Sequence, residues 1–128
     1  MKVAKTVLWY IKGTIDFGVH YKNSDDCKLN GYCDSDWAGD VDDRKSTTGF
    51  VFFLGEMAFT WSSKKQDIVT LSTCEAEYVA ATSCVCHAIW LRRLLKELNM
   101  MQKEPTEIHM DSKSALALTK NPVFHDRS

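Results

Sequence analysis

Three acidic residues stand where a carboxylate gains nothing from its local structure. Asp34 lies inside the extended run 29–36, although aspartate is depleted from strands. Glu77 falls three residues after Cys74 and four before Ala81, at the border of an apolar helical stripe. Asp111 closes a segment that reads as a strand and precedes a helix, a position where sheet folds commonly place functional groups. A lone carboxylate in apolar surroundings loses several kcal/mol or stays protonated unless a cation accompanies it. Hard divalent cations such as Mg2+ prefer carboxylate and water oxygens. Two of them about 4 Å apart can clamp the attacking and leaving oxygens of a phosphodiester. The plainer alternative makes Asp34 and Asp111 turn residues at strand ends and Glu77 part of a solvated face. Asp36 shares the strand face of Asp34, so alternation alone does not separate the two.

The elements that must position these acids can be read from periodicity. Val3, Val7, Leu8 and Ile11 recur at helical spacing within residues 2–11, and Gly13 stops the pattern. Phe17, Val19 and Tyr21 alternate along 16–21, with turn residues at 23–26. A strand over 29–36 is followed by the polar loop 38–47, and 49–54 is a continuous apolar run that reads as a buried strand. Gly55-Glu56 suits a two-residue hairpin turn, after which Met57, Phe59 and Trp61 alternate. From Ser72 to about Met100, Cys74, Tyr78, Ala81, Val85, Ala88, Leu91, Leu95 and Leu98 step by three and four, the signature of a long amphipathic helix. Ser72 and Glu75 form a capping box at its start. After Pro105, residues 106–111 alternate with Thr106, Ile108 and Met110 inward, and Ser112 caps a last helix through Lys120. The predicted class is α/β: a three-strand antiparallel meander plus a parallel strand in one mixed sheet, with flanking helices.

Composition narrows the function. The 128 residues suit a single domain, and 45% hydrophobic with 26% charged residues is the mixture of an ordinary globular chain. No apolar run approaches the ~20 residues that span a bilayer, so no membrane partner is expected. The first ten residues pair charge with apolar side chains but reach Lys12 without a small-residue cleavage site, unlike a signal peptide. Five cysteines, an odd number without framework spacing, fit free thiols in a reducing compartment. The chain is therefore placed inside the cell, in the cytoplasm with access to the nucleus. A net charge of −1 argues against coating nucleic acid by bulk electrostatics, so any such contact must be local.

Four ordered strings are more specific than any pattern: Tyr-Cys-Asp-Ser-Asp-Trp-Ala-Gly-Asp (32–40), Arg-Lys-Ser-Thr-Thr-Gly-Phe-Val-Phe (44–52), Trp-Ser-Ser-Lys-Lys-Gln (61–66) and Leu-Ser-Thr-Cys-Glu-Ala-Glu-Tyr-Val-Ala (71–80). Together they resemble the ribonuclease H domain of copia-type retrotransposon Pol polyproteins. Asp-Ser-Lys-Ser-Ala (111–115) and Asn-Pro-Val-Phe-His-Asp-Arg-Ser (121–128) continue the pattern, and residues 4–22 resemble the segment joining the family's reverse transcriptase to that domain. The resemblance implies a connection segment over 1–24 and a ribonuclease H-like domain over 25–128. It also implies that first strand, long helix and fourth strand each supply a metal-binding acid, matched by Asp34, Glu77 and Asp111. Asp34 is preferred to Asp36 because it follows the strand's apolar-aromatic start as in the family. Glu75 points roughly 160° away from Glu77 around the helix.

The implied activity is two-metal hydrolysis, with Mg2+ or Mn2+, of the RNA strand of RNA/DNA hybrids during reverse transcription. The partners would be the hybrid and the reverse transcriptase domain of the same polyprotein. Arg44, Lys64, Lys65 and Lys113 are candidate phosphate contacts. The family's fourth acid follows the His-x-Arg-Ser string, and this sequence stops at Ser128, before it and before a final strand and helix. Asp126 precedes the expected position. The alternative function is thus a catalytically silent, retrotransposon-derived fragment. Another nuclease or an integrase on the same kind of fold is a further rival, disfavoured by the Ser-Thr-Cys-Glu-Ala-Glu-Tyr string. Cys84, Cys86 and His87 read as packing residues, His109 and His125 as surface histidines, and Trp37 and Trp61 as core. Met100 and Met101 read as helix-end packing.

Overall fold

Alternation in 29–36 and 57–65 and the apolar run before Gly55 give strands, and the three-and-four stepping after Ser72 gives a helix. The computed structural model describes residues 2–21, 27–113 and 117. It contains α1 (Lys2–Gly13), β1 (Leu29–Asp36), β2 (Thr47–Leu54), β3 (Met57–Lys65), α2 (Thr73–Glu97) and β4 (Glu107–His109). The strands form one mixed sheet in the order β3-β2-β1-β4. β1, β2 and β3 are antiparallel neighbours, and β4 runs parallel to β1 with Tyr32 opposite His109. The β2–β3 turn uses Gly55 at φ 63°, a conformation that costs glycine little.

β1 sets the layering. Leu29, Gly31 and Cys33 are buried, whereas Tyr32, Asp34 and Asp36 are exposed on the opposite face. α2 lies on the buried side, where Ala81, Cys84, Ala88, Leu91 and Leu95 meet Leu29, Cys33 and Phe52. Its small residues bring the helix close to the sheet, and Cys33 and Cys84 are both buried in that contact. Gly31 serves the same closeness: a Cβ there would stand 2.6 Å from the Phe52 ring, which is fully buried.

The ends of α2 are fixed by hydrogen bonds. Ser72 Oγ accepts from Glu75 N at 3.2 Å, and the Glu75 carboxylate accepts from Leu71 N at 2.7 Å, one residue earlier than a standard capping box. At the other end Asn99 takes φ 60°, while Asn99 N donates to Lys96 O and Met100 N to Leu95 O, a Schellman arrangement. Arg92 then donates to Gln102 O, Glu104 O and Thr106 Oγ1 at 2.8, 2.7 and 2.9 Å, binding the helix to the segment that leads into β4. Gln102 in turn accepts from Leu29 N at 2.9 Å, which ties that segment to β1.

Several expectations need correction. The alternation in 16–21 makes no strand: a turn runs from Thr14 to Phe17, and Tyr21 OH donates to Ala58 O at 2.9 Å. α1 forms as expected but buries none of its residues, so among the described residues α2 alone packs on the sheet. β2 is half-buried, with Thr48 and Phe52 its buried residues, because α2 covers only one face. α2 ends at Glu97 rather than Met100, and Val85 and Leu98 fall outside its buried face. Trp37 and Trp61 are exposed, Trp61 by 66%, because Trp61 stands on the face away from α2 in the edge strand β3. Cys84 is core but Cys86 is exposed, as two positions on a helix diverge. Met101 is exposed, while Met100 packs against the core. β4 pairs over three residues only, although Thr106, Ile108 and Met110 are turned inward as expected. Lys113 and Ala117 are helical, while the 23–26 turn, most of the last helix, and His125 and Asp126 lie outside the described residues. No described helix is long and apolar enough to cross a membrane.

Gly31→Ala should destabilise the domain by about 1–3 kcal/mol, the usual cost of overpacking, measured by urea unfolding. His87 packs against Phe50, Phe52 and Trp90, its Nε2 is buried without a partner among the described residues, and burial lowers its pKa. A lowered folded-state pKa means stability is complete above the unfolded value of about 6.5 and falls as pH drops toward the folded value. Melts from pH 8 to 5 should show a steeper acid-side loss in wild type than in His87→Leu, which has no imidazole to charge.

Candidate metal centre

The parallel pairing of β1 and β4 points both strands the same way, so residues after their C-terminal ends emerge at one edge. Asp34 is near the end of β1, Asp111 lies two residues beyond β4, and Glu77 sits in the N-terminal part of α2. One carboxylate oxygen from each of Asp34, Glu77 and Asp111 falls within 4.8 Å of the others. The three acids singled out in the sequence therefore converge. Asp36 does not join them, since its carboxylate bends over Gly39 into space that any side chain at that position would take. The geometry thus separates Asp34 from Asp36, which alternation left open.

Glu77 is the buried member, 9% exposed, and it lies within the packed face of α2 rather than at its border. Its Oε1 accepts from Ser35 Oγ at 2.7 Å, and Oε2 is buried with no hydrogen-bond donor among the described residues. Asp34 Oδ1 accepts from Ser35 N at 2.8 Å. None of the three acids forms an ion pair with a described residue. Three hard oxygen donors, one of them buried and unsatisfied, match what a divalent cation requires, and Mg2+ and Mn2+ both accept such a set. The group could hold a metal ion.

A polar network fixes the start of α2. Gln66 Nε2 donates to Thr48 Oγ1 and Ala76 O, each at 3.0 Å. Ser46 and Thr70 hydroxyls bond at 2.8 Å, and Trp37 Nε1 donates to Thr70 O at 3.2 Å. Ser46, Gln66 and Thr70 are buried, and Ala76 adjoins Glu77, so this network sets where the Glu77 carboxylate starts from. Its signal in the sequence is slight: single polar residues in the two segments flanking β2 and β3.

The candidate phosphate contacts are placed less closely. Lys65 is held by Asp40 and, at 3.4 Å, by Asp43. The hydrogen bond from Lys65, joined by the Asp43 and Asp42 N–H groups, keeps the Asp40 carboxyl well below the usual carboxylate range. The same contact raises the Lys65 pKa. Lys64 is 3.7 Å from Asp67 in an exposed pair. Arg44 is exposed in the β1–β2 loop at φ 56°, and Lys113 is exposed at the first turn after Asp111.

No family model matches the sequence, and no solved structure matches it. Curated relatives do. The chain is 45% identical over 127 residues to the retrovirus-related Pol polyprotein from transposon TNT 1-94 of Nicotiana tabacum, covering 99% of this chain and 9% of that protein. It is 42% identical over 123 residues to the retrovirus-related Pol polyprotein from transposon RE2 of Arabidopsis thaliana, covering 96% of this chain and 8% of that protein. The chain is homologous, over nearly its whole length, to a segment of copia-type retrotransposon Pol polyproteins. It spans less than a tenth of the length of these two relatives. A protein named secreted RxLR effector protein 161, from Plasmopara viticola, is 44% identical over 87 residues, covering 68% of this chain and 61% of that protein.

Holding three carboxylates together costs stability when no cation balances them, so Glu77→Gln should raise the melting temperature in EDTA, by the equivalent of about 1 kcal/mol. Mn2+ should then raise the melting temperature of wild type but not of the variant, as followed by differential scanning calorimetry.

Proposed function

We propose that this chain is the ribonuclease H region of a copia-type Pol polyprotein, acting on the RNA strand of RNA/DNA hybrids during reverse transcription. The convergence of Asp34, Glu77 and Asp111 from β1, α2 and the end of β4 carries this reading. The mixed sheet β3-β2-β1-β4 with α2 on one face supports a ribonuclease H-like fold over residues 25–128, with 1–24 as the connection from a reverse transcriptase. The homology to Pol polyproteins supplies the context in which such a domain works, and an intracellular site of action follows from that context.

In this reading the three acids would hold two divalent ions, Mg2+ or Mn2+. When bound, such ions activate a water and stabilise the leaving 3′-oxygen of an in-line displacement. Asp34 and Asp111, both exposed, face the substrate side, and buried Glu77 anchors the set from beneath. Hydrolysis passes directly from water to phosphorus, with no covalent bond to the protein. Lys64 can exchange its exposed partner Asp67 for a phosphate at little cost, while Lys65 reaches one only by leaving Asp40 and Asp43. Arg44 and Lys113 complete the phosphate contacts. Preference for the RNA strand rests on 2′-hydroxyl contacts and hybrid shape, not on base sequence.

The test is incubation of the purified chain with an RNA/DNA hybrid labelled on each strand, in Mg2+ or Mn2+. Shortened RNA with intact DNA is expected, abolished by EDTA and by Glu77→Gln. Cleavage that survives Glu77→Gln would overturn the assignment. Metal binding without cleavage would favour the silent, transposon-derived scaffold instead.

A further inference from the structure

We propose that Ser35 is a positioning residue for the acidic cluster, orienting two of its three carboxylates before any cation arrives. The inference rests on reading Asp34, Glu77 and Asp111 as a metal site. Ser35 lies between Asp34 and Asp36 on β1, where alternation turns its side chain to the α2 side of the sheet. Its main-chain N–H donates to Asp34 Oδ1 at 2.8 Å, and its hydroxyl donates to Glu77 Oε1 at 2.7 Å. One residue therefore touches acids on two elements, the farther of them 42 residues away in the chain.

The hydroxyl contact matters because of what surrounds it. Glu77 reaches the cluster through three rotatable side-chain bonds, and the charges of Asp34 and Asp111 push its carboxylate away. Ser35 supplies a charge-assisted hydrogen bond that holds Oε1. Oε2, buried and without a donor among the described residues, is left for a cation. The arrangement thus removes side-chain freedom from Glu77 in advance, as outer-shell partners of metal ligands do. Asp34 is steadied by the backbone of the same residue, so the strand geometry itself contributes and no substitution removes that half.

Mn2+ binding, followed by the electron paramagnetic resonance signal of the free ion, tests the proposal on the full chain. Ser35→Ala should raise the Kd for Mn2+ by about tenfold or more, and Ser35→Thr, which keeps the hydroxyl, should bind close to wild type. Circular dichroism melts establish that each variant is folded. Should alanine not fold, Ser35→Thr and Ser35→Val, equal in shape and different by one hydroxyl, give the same comparison. Wild-type affinity in Ser35→Ala or Ser35→Val overturns the positioning role, as does a Ser35→Thr as weak as the hydroxyl-less variants. Glu77→Gln separates the two readings: if it binds Mn2+ like wild type, the metal site itself fails. If it alone loses binding, the site stands and Ser35 does not position it.

Discussion

A carboxylate buried against two others is the constraint on which the arrangement depends. Unit charges about 5 Å apart repel by a few kcal/mol even at the effective dielectric of a protein surface. Glu77 also loses hydration by being packed under α2. Such a group persists only if the surrounding structure determines its position more strongly than the repulsion does. The Ser35 hydroxyl, the Gln66 bonds to Thr48 and Ala76, and the Ser46–Thr70 pair act together to that end. Each links the start of α2, or the turn before it, to β1, β2 or the loop between them.

The distance between helix and sheet is the second requirement. α2 presents Ala76, Ala80, Ala81, Cys84 and Ala88 to the sheet before its larger residues Leu91 and Leu95. The small residues lie at the Glu77 end, the end of α2 where the acids meet. Gly31 permits the Phe52 ring to fill the space beside β1, and Leu29, Leu91 and Leu95 close the far end. At that end Arg92 and Gln102 hold the connection to β4, which determines where Asp111 emerges. Packing at one end of α2 thereby positions an acid at the other.

Much of this was legible in advance. Local rules gave β1, the Gly55 turn, the Ser72 cap and the two-sided character of 106–111, because each depends on residues within one or two turns of chain. Asp34 inside a strand and Glu77 at the border of an apolar stripe stood out because both conflict with propensity, and Asp111 because it lies between a strand and a helix. Alternation failed over 16–21, where Phe17, Val19 and Tyr21 join no strand ladder and remain exposed. It also placed Trp61 in the core, since a period of two does not foresee the register shift between Ala58 and Thr60, which leaves Phe59 against the core and Trp61 exposed.

What the sequence determined by itself was therefore most of the described elements, the candidate acids and, through its ordered motifs, the kinship with transposon polyproteins. Only the tertiary structure decided that Asp34 rather than Asp36 joins Glu77 and Asp111, that Glu77 is buried within the packed face of α2, and that Ser35 lies against it. The physical reason is range. Helices, turns and caps are local, but the parallel pairing of β1 with β4 and the seating of α2 bring together residues dozens of positions apart. No short window of sequence contains those contacts.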